Sequence, residues 1–267
     1  MKIRAIALNT FSSLLHNKLI LLFCAGFVCV LLLMMTPLML AKSMARTMNA
    51  SQVQGMVLSE VSGIMSLLSG FGSLLAAWAA ADAVAGEVKS GTILAVLARP
   101  VRRWEFLLGK YLGVQLLMAV YIVCTLIMTY FLAGIGGQSI QSNPLPLVVY
   151  PLVRYAVYSA IAMLLVTRLH PVVAFGIVLV IAVVIGMVGP SAGQSSFLPA
   201  WLRSGLYFLL PSTGLLSETR FLTITQADLK PVAWSSHAIA LAYGLDYALI
   251  CFLLAAWLFQ RRSLSRE

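Results

Sequence analysis

The chain has 267 residues, 61% of them hydrophobic and only 10% charged, with a mean hydropathy of +0.98. A water-soluble domain carries roughly 25% charged residues, so this composition excludes a soluble globule and makes lipid the solvent for most of the protein. The formal charge of +10 comes from Lys and Arg placed between apolar runs. A soluble basic face interleaved with aromatics, which nucleic-acid binding requires, is absent.

Backbone groups in lipid must be paired within one segment or within a closed barrel. Barrel strands alternate apolar and polar residues, whereas 19–40 and 172–188 are nearly unbroken apolar runs. The expected fold is therefore all-α. In chain order, residues 1–18 read as an amphipathic helix lying along a membrane surface. At about 100° per residue, Ile3, Ala7, Leu8, Phe11, Leu14 and Leu15 share one arc, and Lys2, Asn9, Ser12, Ser13 and His16 lie opposite. Arg4 falls inside the apolar arc, where its long stem can snorkel to the headgroups. The apolar run that follows is about twenty residues, beyond the 7–15 of a cleaved signal core, so it reads as a retained span.

Stretches of about twenty apolar residues place six transmembrane helices near 19–40, 61–84, 106–133, 147–166, 172–188 and 240–259. The segments between them, 41–60, 85–105, 134–146, 167–171 and 189–239, are polar or carry Gly and Pro. The link at 167–171 is short enough that a five-span count is the natural rival; seven is the other. With the N-terminus inside, Lys2, Arg4, Lys18, Lys89, Arg99, Arg102, Arg103, Lys110, Arg168, Arg261, Arg262 and Arg266 fall on the cytoplasmic side. Lys42, Arg46, Arg203, Arg220 and Lys230 fall outside. This positive-inside bias puts both termini in the cytoplasm, and residues 1–267 read as a single domain. Cys24, Cys29, Cys124 and Cys251 all sit within apolar runs and read as small packing residues.

The informative stretch is 76–113, AAWAAADAVAGEVKSGTILAVLARPVRRWEFLLGKYLG. Ala77, Ala81 and Ala85 recur every fourth residue and permit close helix approach in lipid. Gly109 and Gly113 give the third span a similar close-packing face. Between them, Ser90 or Gly91 starts a short helix, Ile93, Leu94 and Leu97 make one side of it apolar, and Pro100 ends it. Charges surround it at Glu87, Lys89, Arg99, Arg102 and Arg103. An apolar ridge with a charged rim suits docking of a soluble partner; a solvated loop whose arginines only fix topology suits the same residues.

Glu87, Gly91-Thr92, Leu97, Pro100-Val101, Arg103 and Gly109-Lys110 resemble the cytoplasmic loop between the second and third spans of ABC-2 type exporter permeases. The resemblance is greatest to the branch of six-span permeases that includes one associated with nitrous-oxide-reductase maturation. It covers about forty residues; the span number, amphipathic N-terminus and long loop before the last span agree more weakly. The resemblance implies a bacterial inner-membrane permease, paired with a second permease copy as a homodimer or heterodimer, with a separate ATPase subunit on its cytoplasmic face. It also implies that the loop holds a coupling helix, with Glu87, Gly91, Thr92, Leu97, Pro100 and Arg103 as contacts to that ATPase.

This chain is expected to bind no cofactor itself, with ATP and magnesium on the partner. A phosphate-binding loop needs G-x-x-x-x-G-K followed by Ser or Thr. The only Gly-Lys pair, Gly109-Lys110, is followed by Tyr111 and has Trp104 in place of the first glycine. His16, His170 and His237 lie in separate segments, so no convergent catalytic or metal set is expected. The alternative from another class is an ATP-independent secondary transporter, although the inverted repeats and midplane charges common in that class are not evident.

Arg154, among Tyr150, Tyr155 and Tyr158, reads as a snorkelling arginine in an aromatic belt near an outer span end. Asp82 and Asp246 sit near the ends of their spans and read as solvated at the interface, with a transport role for Asp82 as the sharper reading. Seven methionines fall between Met34 and Met65. Thioethers suit Cu(I), but flexible filler is the simpler reading. Residues 197–210 are apolar and aromatic but too short to span; the family resemblance implies a re-entrant or interfacial segment over the outer mouth, and an outer-leaflet anchor with no gating role suits the same residues. The cargo is not legible in the sequence.

Overall fold

The computed structural model describes residues 2–44, 49–89, 102–135, 144–188, 210–211, 213–217 and 234–261. They form helices α1 (Lys2–Leu15), α2 (Lys18–Met44), α3 (Ala50–Lys89), α4 (Arg103–Ile135), α5 (Pro144–Val166), α6 (Pro171–Val188) and α7 (Trp234–Arg261). A 3-10 turn, Thr213–Leu216, packs against α5 and α7. No strand occurs among the described residues. Four segments, Gly55–Gly86, Arg103–Ile135, Leu145–Val166 and His237–Arg261, are long and apolar enough to cross a membrane. Helices α2 and α6 occupy the other two expected span positions. The re-entrant segment expected at 197–210 falls almost wholly outside the described residues.

The short link between α5 and α6 is a true break. Helix α5 ends at Val166, and the amides of Arg168 and Leu169 both bond to the Leu165 carbonyl at 3.1 and 2.9 Å. Pro171 then starts α6 as its first helical residue, with the Ala174 amide on the His170 carbonyl at 2.9 Å. Proline forces the residue before it out of helical geometry and is itself suited to the first helical position.

Residues 50–60, expected as part of a connecting segment, are instead the first turns of α3. Their mean hydropathy is low, but one stripe is apolar: Val53, Val57, Val61, Ile64 and Leu68 are all buried and pack with Leu132 and Ala133 at the end of α4. The helix starts with a reciprocal cap, in which the Gln52 side chain accepts from the Asn49 amide at 3.3 Å and the Gln52 amide bonds back to the Asn49 carbonyl.

Helix α5 is the centre of the bundle. It packs most extensively against α3 and α7, and also touches α4 and α6. The tyrosines expected in a lipid-facing belt accordingly point inward: Tyr150, Tyr155 and Tyr158 are buried. Hydropathy locates a span but not its rotation, and here the three rings are turned toward neighbouring helices. Tyr155 meets Tyr121 of α4 edge-on at 6.1 Å, and Tyr121 meets Phe27 of α2 at 5.5 Å. The Tyr121 hydroxyl donates to the Leu68 carbonyl of α3 at 2.6 Å. Gly72 makes room for this crossing, since a Cβ there would lie 2.6 Å from Tyr121 Cε1 and would collide with the Tyr155 hydroxyl.

The amphipathic helix α1 lies on α4, but rotated from the expected arc. Thr10 and Leu14 are buried at its centre, with Ile3, Ile6, Ala7 and Phe11 half-buried beside them. The Thr10 hydroxyl is satisfied by the Ile6 carbonyl at 2.8 Å, so it can face protein. Leu8 and Leu15, both exposed, form an edge with the exposed Arg4. The apolar arc is thus divided between a protein-facing half and a half left for lipid.

Gly109 and Gly113 are what α1 rests on. A Cβ at 109 would lie 2.7 Å from Ile6 Cγ2, and one at 113 would lie 2.7 Å from both the Ala7 carbonyl oxygen and Thr10 Cβ. Overpacking of this kind costs about 1–3 kcal/mol. A Gly113→Val substitution is therefore predicted to lower thermal stability in detergent by about that amount, and to expose a reporter cysteine at Thr10 to a polar maleimide. Unchanged melting together with a shielded reporter would mean that α1 is not held on this face.

Candidate functional site around the α1 end of the bundle

One end of the bundle collects α1, the elbow between α1 and α2, the C-terminal end of α3, the start of α4 and the end of α7. The segment that carries the sequence motif, 90–101, connects α3 to α4 here. Gly91, Thr92, Leu97 and Pro100 fall within it and lie outside the described residues, as does the expected coupling helix. Glu87 belongs to the last turn of α3.

The approach to that segment is built of small residues. Ala76, Ala77, Ala79, Ala80 and Ala81 have no exposed surface, and Ala83 and Val84 are also buried; Ala85 is half-buried against the same core. Buried positions cover most of the circumference of this part of α3, with Trp78, Asp82 and Ala85 on its more open side, so Ala77 and Ala81 contribute to a wider alanine surface than a single stripe. Trp78 breaks the pattern and meets Phe175 of α6 edge-on at 5.3 Å.

Helix α4 starts with its own cap. Arg102 donates its amide to Glu105 Oε2 at 3.0 Å, and the Phe106 amide bonds to the Arg102 carbonyl at 3.1 Å. A carboxylate in the first turn also complements the helix dipole. Arg103, a candidate contact for a partner, is engaged within the chain: its Nη1 donates to the Gln260 carbonyl near the end of α7 at 3.1 Å. Carbonyls in the last turn of a helix lack partners within it, so Arg103 closes the end of α7. Phe106 stacks on Phe259 at 6.1 Å and 17°, and Arg261 lies 3.9 Å over the Trp257 ring. The start of α4 and the end of α7 form one fastened unit.

The elbow and α3 are joined by a polar contact between residues 65 apart in sequence. Asn17 Nδ2 donates to Asp82 Oδ2 at 2.6 Å. Lys110, on α4 between the two glycines that seat α1, is buried, acts electrostatically on Asp82 and lies 5.6 Å over the Phe106 ring. Asp82 is half-buried, so it holds this protein contact while part of it stays open to its surroundings. Sequence reasoning missed Asn17 and Lys110. Asn17 is visible only as a polar break between two apolar helices, and Lys110 counts equally well as a topology charge.

The remaining candidates are dispersed. Arg154 is half-buried and lies 5.7 Å over Tyr155. Nearby, the Tyr150 hydroxyl and His237 Nδ1 are 2.7 Å apart and tie α5 to α7. Asp246 is exposed. Met35 packs against the cluster of α3 and α4, Met65 is buried elsewhere, and Met39 and Met56 are exposed. Cys251 is buried, whereas Cys29 and Cys124 are exposed on outer helix faces. A Phe259→Ala substitution, which removes the stacking partner of Phe106, is predicted to cost about 3–5 kcal/mol. Thermal unfolding in detergent measures this, and a shift below about 1 kcal/mol would show that the α4–α7 unit does not depend on the stack.

The described helices are matched by a whole-chain comparison. A sequence model of the family described as ABC-2 family transporter protein matches residues 4–264. No curated protein matches the chain. The match runs from α1 through the end of α7 and includes the α3–α4 connection, so the chain belongs to the ABC-2 transporter family.

Proposed function

We propose that the chain is the transmembrane permease subunit of an ATP-driven exporter. Membership of the ABC-2 family across residues 4–264 carries this reading, since such permeases are transport components without a catalytic site of their own. In this reading six helices cross the bacterial inner membrane, with both termini and the α1 end in the cytoplasm. The distribution of Lys and Arg supports that orientation. A second permease copy completes the transport path. A separate ATPase subunit, which binds ATP and magnesium, docks on segment 85–105 through Glu87, Gly91, Thr92, Leu97, Pro100 and Arg103.

The construction of the α1 end supports the assignment of that segment. Force applied between α3 and α4 enters helices that are braced. Helix α3 is packed closely through its buried alanines, and α4 is fastened to α7 by Phe106–Phe259 and Arg103–Gln260. Both can pass displacement into the membrane without local bending. Arg103 in this scheme has two tasks, closing α7 and lining the docking edge. Likeness to the branch linked to nitrous-oxide-reductase maturation rests chiefly on the motif-bearing stretch of the α3–α4 connection.

A tagged chain drawn gently from its native membrane is predicted to bring down a soluble ATPase in near-equal amount. Leu97→Asp, which puts a charge on the apolar ridge, is predicted to lose it, at a cost of several kcal/mol for burying an unpaired charge in an interface. Glu87→Ala is predicted to retain membrane insertion while ATP hydrolysis no longer drives transport. Recovery of the wild-type chain alone, from a membrane without ATP-dependent transport, would overturn the exporter reading in favour of secondary transport.

A further inference from the structure

We propose that Asp82 is a positioning residue of the transport cycle: it latches the α1–α2 elbow to α3, and the latch opens and closes as segment 90–101 is driven. This rests on the exporter reading above.

Three observations converge on it. The first is the place of Asn17. Helix α1 ends at Leu15 and α2 begins at Lys18, so His16 and Asn17 are the whole elbow, and any swing of α2 against α1 pivots there. The elbow is closed on one side by the Asn17 amide on the Leu14 carbonyl at 3.1 Å. On the other it is held by the Asn17 side chain on Asp82 at 2.6 Å. That distance is short for an N–H···O bond.

The second is the level at which the charges stand. Asp82 is seven residues before the end of α3 at Lys89, and Lys110 is seven residues after the start of α4 at Arg103. At 1.5 Å per residue each lies about 10 Å from the segment that joins the two helices. The opposite charges therefore sit at matching depth on the two helices that receive the drive. A relative slide of α3 and α4 changes their separation directly.

The third is the seating of α1. Gly109 and Gly113 flank Lys110 and carry Ile6, Ala7 and Thr10 in close contact. A displacement of α4 moves the seat of α1 and the counter-charge of Asp82 together. The neighbours of Asp82 along α3 are buried alanines at 79, 80, 81 and 83, which cannot follow the carboxylate with a hydrogen bond. Leaving a partly buried charge without its partner is costly, so the site favours a latched state or a fully displaced one over intermediates. Packed elements with discrete arrangements turn small shifts into switching. Here the switched element is α2, which contacts α3 and α4 beyond the elbow.

The test uses the full chain with its ATPase in lipid nanodiscs. In a background with Cys24, Cys29, Cys124 and Cys251 replaced by Ser, the pair Asn17→Cys and Asp82→Cys is oxidised with copper phenanthroline. The rate of disulfide formation is compared without nucleotide and with ATP plus vanadate. The expected result is a change of about fivefold or more between the two conditions, the lower end of ordinary coupling between sites. The closed disulfide is expected to cut ATP hydrolysis by a similar factor, with recovery on reduction. In the original chain, Asn17→Asp should depress hydrolysis by opposing two carboxylates, and adding Asp82→Asn, which exchanges the two partners, should restore it. A simple brace would also give that rescue, but it would not give a nucleotide-dependent crosslinking rate. An ATPase that co-purifies and hydrolyses normally, while the 17–82 crosslink forms equally fast in both nucleotide states and leaves hydrolysis intact, overturns the latch alone. Absence of any co-purifying ATPase overturns the exporter reading and the latch with it.

Discussion

Helices in lipid gain little by burying apolar side chains against one another, because the acyl chains solvate those surfaces equally well. What holds them is close contact, and close contact needs missing side chains. In this protein that constraint acts at three places. The alanines of α3 at 76–81 let its neighbours close on it, Gly72 admits the crossing of Tyr121 and Tyr155, and Gly109 with Gly113 admits α1. Each joins elements distant in sequence. Without the first two, α5 loses its place at the centre of the bundle; without the third, α1 has nothing to rest on.

Polar groups follow the same geometry. Several polar side chains taken into the bundle reach across to another element. Tyr121 reaches Leu68, Tyr111 reaches Ala156 at 3.0 Å, Gln115 donates to Ser159 at 2.7 Å, and Asn17 donates to Asp82. All four bridge different elements, three of them joining a pair of helices and the last joining the α1–α2 elbow to α3. In a medium without water to serve as alternative partner, such contacts fix the rotation of each helix about its axis. Apolar packing against lipid leaves that rotation free.

The helices and their order were legible because hydropathy and proline placement report directly on the solvent and the backbone. The break at Pro171 is the clearest case, where five residues between two apolar runs sufficed. Rotation was not legible. The wheel of α1 shows an apolar arc but does not say that Thr10 sits in its protein-facing half and Leu8 in its lipid-facing half. The tyrosines of α5 looked like an interfacial belt because their position along the span was known and their direction was not. Residues 50–60 were hidden for another reason: a helix with one apolar stripe scores poorly in a window average. At the α1 end, the alanine and glycine spacings were visible as close-packing surfaces, yet their partners were not. The Asn17–Asp82 contact spans 65 positions and leaves no local trace.

The length of α3 has a consequence of its own. Its 40 residues make a rod of about 60 Å, roughly twice the hydrocarbon thickness of a bilayer. The rod is gripped near one end, where its own alanines are buried against neighbours and Asp82 is tied, and it is packed more one-sidedly toward Ala50. A turn of about 10° around the gripped end carries the far tip through an arc of about 10 Å for a body of this length. Small rotations on one side of the membrane are thereby magnified on the other, with the bundle itself serving as the gearing.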